Sequence, residues 1–308
     1  MKHFFYLILL GAGLSALHSC KDMTDEEGNP LIDLNQNTGL NGNRALYREE
    51  SSAGRIADYK YNGLNLSSVI QPMNSFTDVL WSGDKISQIN FRGHLDTDGD
   101  SVPDLDSIAY THLLTYGNQG RLSLITETRA IYTKNLVAGV PVGPYLLSER
   151  RKAEYNIKYN QMSGKMDSII MKSGKEIAGT PFTYDTYSKA GYNYTGDNVT
   201  MIDKKVGQIL AGNNEPADMH YSYEYLNYDT GISAYNLLPF AYKVSSLIST
   251  DHANTRAFIL SPNSPKRTIV TDLKQPIPNP LISSTNFEYD NQNYVSRGYG
   301  IYYFYKAF

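Results

Sequence analysis

The sequence predicts an all-β protein of antiparallel hairpin or meander repeats that form a long curled or partly closed sheet. Tyrosine accounts for 26 of the 308 residues, against 10 Phe and 1 Trp, and it favours strands with partly wet faces. Short turns of Gly, Asn and Asp recur between strand-like segments. Convincing helical periods are absent.

Composition excludes several classes of protein. The chain carries 28 basic and 31 acidic side chains, a formal charge of −3. Nucleic-acid binding calls for a basic patch or stripe, so we expect no nucleic-acid partner. A hydrophobic content of 41% with 19% charged residues excludes wholesale disorder. The only cysteine is Cys20, which excludes an intramolecular disulfide.

Residues 1–19 are predicted to be a lipoprotein signal peptide. The apolar run from Phe4 to Leu17 has 14 residues, whereas a membrane-spanning helix needs about 20. The run ends in Leu17-His18-Ser19-Cys20, which resembles a bacterial lipobox, although His18 departs from the usual middle residue. The resemblance implies cleavage before Cys20 and acylation of its thiol, and hence attachment to a membrane through this residue.

Residues 20–50 lack an apolar period, so we expect a flexible tether there. The acidic stretch that follows Cys20, from Lys21 to Glu27, resembles the surface-export signal of Bacteroidetes lipoproteins. That resemblance implies an outer-membrane lipoprotein at the cell surface. The alternative location is the periplasmic face of the membrane.

Residues 51–308 are predicted to form one β domain built on a recurring unit. The unit is a turn residue, a basic residue or Asn, an aliphatic residue, a polar residue, any residue, and Ile or Val. Its copies span Leu64–Val69, Asp84–Ile89, Gly120–Ile125, Gly164–Ile169 and Asp197–Ile202. A tyrosine-bearing segment precedes four of the five copies, and Trp81 precedes the Asp84 copy. Each unit therefore predicts a hairpin made of an aromatic strand, a short turn and an aliphatic strand.

The C-terminal part predicts an edge and a closing strand. Pro276, Pro278 and Pro280 cannot donate to a ladder, so we expect them to cross an edge or cap an end of the sheet. The aromatic run from Tyr299 to Phe308 predicts a final strand that closes the domain.

Residues 55–308 resemble the YD-repeat-like β domains of unknown function in Bacteroidetes lipoproteins. The Tyr-Asp element of such repeats is present at Tyr184-Asp185, Tyr228-Asp229 and Tyr289-Asp290. Residues 260–265 are similar to the Ser-Pro-Asn segment near the end of such domains. The resemblance implies the fold and supplies no catalytic residues.

An acidic run between residues 96 and 106 predicts a structural calcium site. Carboxylates at alternating positions followed by a backbone carbonyl fit an oxygen-rich calcium loop, and the run resembles one thrombospondin type 3 repeat. Ser101 and Ser107 depart from the Gly and the acid of such loops. The alternative is a solvated hairpin tip without metal. The predicted ligands are Asp96, Asp98, Asp100, the carbonyl of Val102, Asp104 and Asp106.

No enzyme activity is expected, because the chain has no Gly-x-Ser-x-Gly elbow and no P-loop. Exposed tyrosine rings would stack on sugars or bind a protein, whereas buried rings would be cross-strand pairs. The predicted function is a lipid-anchored, surface-exposed binding module for a glycan or protein ligand. The alternatives are a structural or accessory lipoprotein of an outer-membrane complex and, behind both, a carboxylate-dependent hydrolase.

Overall fold

The computed structural model describes residues 44–97, 103–137 and 140–307. Eighteen strands lie in these ranges, and every ladder between them is antiparallel. The strands are β1 (Arg44–Ser51), β2 (Gly54–Asn62), β3 (Asn65–Gln71), β4 (Ser75–Ser82), β5 (Lys85–Gly93), β6 (Ser107–Tyr116), β7 (Leu122–Val137), β8 (Val140–Tyr159), β9 (Met166–Lys175), β10 (Thr186–Thr195), β11 (Asn198–Leu210), β12 (Asn213–Asn214), β13 (Met219–Tyr228), β14 (Pro265–Asp272), β15 (Leu281–Ser284), β16 (Glu288–Tyr289), β17 (Val295–Gly298) and β18 (Ile301–Ala307). The all-β prediction is confirmed.

The sheet is a meander that curls back on its own start. Strands β1 to β11 pair in order, β11 pairs with β13, and β14 and β15 follow. The predicted closing strand is confirmed: β18 pairs with β1 from Arg44↔Ala307 to Ser51↔Ile301, and β17 and β16 lie beyond it. Among the described strands no ladder joins β15 to β16, so the sheet is not closed.

Residues 229–264, between β13 and β14, leave the sheet and pack inside its curve. This segment, called the plug here, contains helix α1 (Phe240–Leu247) and a 3-10 segment (Ala253–Leu260). Tyr235, Val244 and Ala257 of the plug are buried in the same core as side chains from both ends of the meander. No helix in the described part of the chain is long and apolar enough to cross a membrane.

The predicted hairpin repeat is confirmed in all five units. An aromatic residue in the last two positions of the first strand faces an aliphatic residue in the first two positions of the second, and a bulge precedes each pair. The facing pairs are Tyr61↔Leu66, Trp81↔Ile86, Tyr116↔Leu122, Tyr159↔Met166 and Tyr194↔Val199.

Hydrogen bonds from these aromatic side chains join one hairpin to the next. The Trp81 indole N–H donates to the carbonyl of Leu66 at 2.8 Å, and the Tyr159 hydroxyl donates to that of Leu122 at 2.8 Å. Tyr61, Tyr116 and Tyr228 make the same kind of bond to Leu46, Ile86 and Val199. The repeat thus fixes the neighbouring strand pair as well as its own turn.

The predicted tether boundary at residue 51 is wrong. Strand β1 begins at Arg44, seven residues earlier, and the Arg44 guanidinium pairs with Asp290 inside the protein. Arg44 and Glu49 are polar but buried because they have partners from distant parts of the chain, which their sequence context conceals. The signal peptide, Cys20 and residues 20–43 lie outside the described residues.

Candidate functional site

A cavity of about 570 Å³ lies between the plug and strands β1 to β6. It reaches the end of the sheet where the β3–β4 and β5–β6 connections lie, since Pro72, His94 and Pro103 are among its lining residues. The cavity is lined further in by tyrosine rings and by the hydroxyl groups of plug residues, including Tyr59, Tyr235, Tyr242, Ser249, Thr250 and Thr255. We call it the interior cavity.

A buried carboxylate and a guanidinium form the polar centre of this cavity. Glu49 of β1 has no exposed surface, and it accepts hydrogen bonds from the hydroxyls of Tyr59 at 2.5 Å and Tyr235 at 3.0 Å. Arg256 of the 3-10 segment lies 3.4 Å from Glu49 and donates to the Tyr235 oxygen at 2.9 Å. The Arg256 side chain keeps 48% of its surface exposed, so a cation faces the cavity.

The tyrosine hydroxyls around Glu49 remain hydrogen-bond donors. Burial raises the pKa of Tyr59 well above its usual value, and the Glu49 charge raises that pKa further. Tyr242 packs edge-on against Tyr59 with ring centres 6.5 Å apart. Burial also raises the pKa of Tyr242, whose hydroxyl has no hydrogen-bond partner among the described residues. Tyr242 and Arg256 are therefore the groups with spare capacity for a ligand.

Three side chains that the sequence analysis did not associate with one another link the plug to the sheet. Ser245 Oγ lies 2.7 Å from His112 Nδ1, and His112 Nε2 lies 2.7 Å from Glu127 Oε2. Burial alone would raise the pKa of Glu127, but the Arg129 charge and the His112 contact lower it to about 2. Glu127 is therefore ionised at neutral pH, and it holds His112 against the plug.

The Ser245–His112–Glu127 order resembles a nucleophile, a base and an orienting acid. Ser245, however, lies in the middle of α1 and is 1% exposed. Backbone N–H groups in the interior of a helix are already bonded within it, so they cannot form an oxyanion hole. The arrangement fits a clamp between α1 and strands β6 and β7. No sequence signal marks it, because the three residues share no motif.

The described ends of the predicted calcium loop border the interior cavity, because Asp96 and Pro103 are among its lining residues. Asp98, Asp100 and Val102 fall outside the described residues, whereas Asp96, Asp104 and Asp106 are described. Asp104 holds the two sides of the loop together, because its carboxylate accepts the N–H of Thr97 at 2.9 Å. Among the described residues no three ligating side chains converge. The calcium site stays a prediction.

Most of the described tyrosines belong to the core. Tyr223, Tyr225 and Tyr305 are at most 1% exposed, as cross-strand packing predicts. Among the described tyrosines, only Tyr145 and Tyr302 are strongly exposed, at 38% and 40%. The described surface therefore carries no coplanar row of exposed tyrosine rings, and several tyrosine rings line the interior cavity instead.

Comparisons with known proteins give a likeness of structure without a sequence family. No protein-family model matches the chain, and no curated protein matches it. The chain is similar to the solved structure of a porin-like protein from Bacteroides vulgatus, with 10% identity and a TM-score of 0.45 over 82% of this chain and 91% of that one. It is also similar to a porin-like protein from Bacteroides uniformis, with 13% identity and a TM-score of 0.24 over 71% of this chain and 97% of that one.

Proposed function

We propose that this chain is a non-enzymatic, lipid-anchored binding protein whose interior cavity takes a saccharide. The cavity of about 570 Å³ carries the proposal, because among its aromatic rings it presents the Arg256 cation and the Tyr242 hydroxyl, which has no partner within the described part of the chain. Binding pockets combine apolar or aromatic walls with a few polar groups that fix orientation. Sugars offer both hydroxyl groups and an apolar ring face, so they match such a lining.

The anchor and the location belong to the same proposal. Acylation at Cys20 would hold the protein at the outer membrane, facing the cell surface, as a lipoprotein with a YD-repeat-like β domain. Residues 20–43 lie between Cys20 and β1, and a fully extended chain of that length spans about 80 Å at about 3.3–3.6 Å per residue. Such a tether would let the cavity mouth face away from the membrane.

A glycan array probed with the full-length protein tests the proposal, followed by calorimetry with the sugars that bind. The variant Thr255→Trp fills the cavity from an exposed lining position and should abolish binding. Tyr242→Phe removes one hydrogen bond to the ligand and should weaken binding by about fivefold, since such a bond contributes about 1 kcal/mol. Tyr302→Phe is the matched control, because that exposed tyrosine lies outside the cavity and should leave affinity unchanged.

Two results would contradict this function. The first is an array on which no saccharide class binds above background. The second is a sugar that binds Thr255→Trp as tightly as the unmodified protein, which would place the ligand elsewhere.

An exposed apolar ribbon favours a second candidate, the accessory subunit of an outer-membrane complex. Strands β7 and β8 extend beyond their neighbours, and Leu136, Val140 and Leu146 on this arm are 67%, 60% and 51% exposed. Isolated two-stranded hairpins are marginal in water, and large exposed apolar patches mark interaction sites. A photo-crosslinking residue at Val140 should then capture one defined partner in cells. A paired Leu136→Ser and Leu146→Ser variant should lose that partner.

The described carboxylates of the interior cavity do not favour a hydrolase. Glu49 and Asp96 are the acids in its lining. Both oxygens of Glu49 already accept hydrogen bonds from Tyr59 and Tyr235, so Glu49 has little capacity for acid–base chemistry.

A further inference from the structure

A second groove lies at the opposite end of the sheet, where the five repeat hairpins turn. Its volume is about 500 Å³. The rings that end four successive hairpins form one wall, and the start of α1 forms part of the other wall with Phe240, which is 41% exposed. The four rings are Trp81, Tyr116, Tyr159 and Tyr194. We call this the hairpin-end groove.

In three of the five repeat hairpins, a basic residue lies over the tyrosine of the next hairpin. Lys85 Nζ is 5.3 Å from the centre of the Tyr116 ring, and the Arg121 guanidinium carbon is 5.5 Å from that of Tyr159. Lys165 Nζ repeats the contact at 5.5 Å from Tyr194. These cations occupy the second position of the repeat, which explains why that position is basic in three of the five copies.

The turn glycines help to fix two of these cations. Gly120 and Gly164 have φ angles of +70° and +71°. A Cβ atom would lie 3.1 Å from Lys85 Nζ at Gly120 and 3.0 Å from Arg121 Nη2 at Gly164. Lys85 and Arg121 therefore each pack between the ring and the turn of the next hairpin, which fixes the positions of both charges in the groove.

Within the described ranges, only one of the three cations has a carboxylate at ion-pair distance. Lys165 pairs with Asp197 at 2.9 Å. Lys85 and Arg121 have no carboxylate within ion-pair distance among the described residues, although Asp84 also lines the groove. The described lining of the groove therefore carries three cations against two carboxylates, and it suits a ligand that carries negative charge and an apolar face.

The spacing of the cations selects the class of ligand. Neighbouring strands lie about 4.8 Å apart, so equivalent residues on successive hairpins recur at about 10 Å. We propose that the hairpin-end groove binds an acidic polysaccharide that carries a carboxylate or sulfate on every second sugar, with a sugar face against the exposed Phe240 ring and the acids at Lys85 and Arg121. This site is separate from the interior cavity and does not depend on the function proposed for it.

Calorimetry on the full-length protein tests this site, with hyaluronate and chondroitin sulfate oligosaccharides as acidic probes and dextran as the neutral probe. The acidic chains should bind, dextran should not, and affinity should fall as salt is added. The double variant Lys85→Gln/Arg121→Gln should bind at least about tenfold more weakly, because it loses two charge-assisted contacts. Lys172→Gln/Lys189→Gln removes the same charge from exposed strand positions outside the groove and should change affinity little.

A second variant leaves the cation–ring contacts in place. Phe240→Asp adds a negative charge to the groove at the first residue of α1, where an acid is favourable for the helix, and it should weaken binding of both acidic chains. The site is disproved if both groove variants bind like the strand control, or if polyglutamate binds as tightly as hyaluronate. Thr255→Trp should bind the acidic chains normally, which separates this site from the interior cavity.

Discussion

Lys243 shows how one buried charge affects stability. The side chain lies on α1, is 6% exposed, and has no ion-pair or hydrogen-bond partner among the described residues. Burial lowers its pKa to about 8, because the charged ammonium loses its hydration. At neutral pH the folded protein therefore carries an unfavourable charge that the unfolded chain exposes to water.

Replacing this lysine should stabilise the protein. Between about pH 8 and the unperturbed lysine pKa near 10.5, the unfolded chain binds more protons than the folded one, so wild-type stability rises with pH in that window. Lys243→Met should raise the free energy of unfolding by up to about 3 kcal/mol at pH 7, and the gain should shrink above pH 8. Urea denaturation of both proteins across this pH range measures the gain.

Lys189→Met is the control for that experiment, because Lys189 is exposed on β10. Its effect should stay within about 0.5 kcal/mol at every pH. An equal gain from both variants would mean that burial of the charge is not the cause.

Contacts between individual side chains that are far apart along the chain are the feature that the sequence predicts least well. The contact of Glu49 with Arg256 joins residues more than two hundred positions apart, and His112 meets Ser245 across 133 positions. Neither pair carries a local pattern, because their geometry arises only when the plug enters the sheet. The interior cavity could therefore not be predicted from the sequence.

At the scale of the hairpin, the hydrogen bonds that aromatic side chains make to the preceding unit should contribute to stability. Tyr159→Phe removes the hydroxyl that donates to Leu122 at 2.8 Å and keeps the ring. We expect a loss of about 1 kcal/mol in the free energy of unfolding, because the half-buried carbonyl loses its side-chain donor. Thermal or urea denaturation checks this. Tyr302→Phe should show no loss, because the exposed Tyr302 hydroxyl makes no such bond to any described residue.

The hairpins were predictable because their signal is local. An aromatic residue, a turn and an aliphatic residue lie within about ten positions of one another, and each recurs along the chain. Helix α1 has only eight residues, too few for a helical period to stand out. The hydrogen bonds between hairpins were also missed, because variable loops separate donor from acceptor.

At the scale of the molecule, strand β18 should be essential for a stable fold. Deleting residues 301–308 removes β18, with Tyr303 and Tyr305 at 3% and 0% exposure, and leaves β1 without one neighbour. Loss of each buried ring costs roughly 3–5 kcal/mol, which is a large part of the stability of an ordinary domain. Limited proteolysis should show rapid degradation of the truncated protein.

A shortened β7–β8 arm is the control for the deletion of β18. Residues 135–137 and 140–142 extend beyond the neighbouring strands, and most of their side chains are exposed, so replacing residues 135–142 with Asn-Gly should leave protease resistance intact. If that variant were degraded as fast as the truncated one, general fragility rather than loss of β18 would explain the result.

The pairing of the first strand with the last also sets the order of events during folding. Arg44 and Ala307 lie side by side in the ladder, although nearly the whole polypeptide separates them. Contacts between such remote positions form slowly, because a very long loop must close first. Synthesis must therefore reach β18 before β1 gains its second neighbour, so this ladder can form only after every strand between the two has left the ribosome.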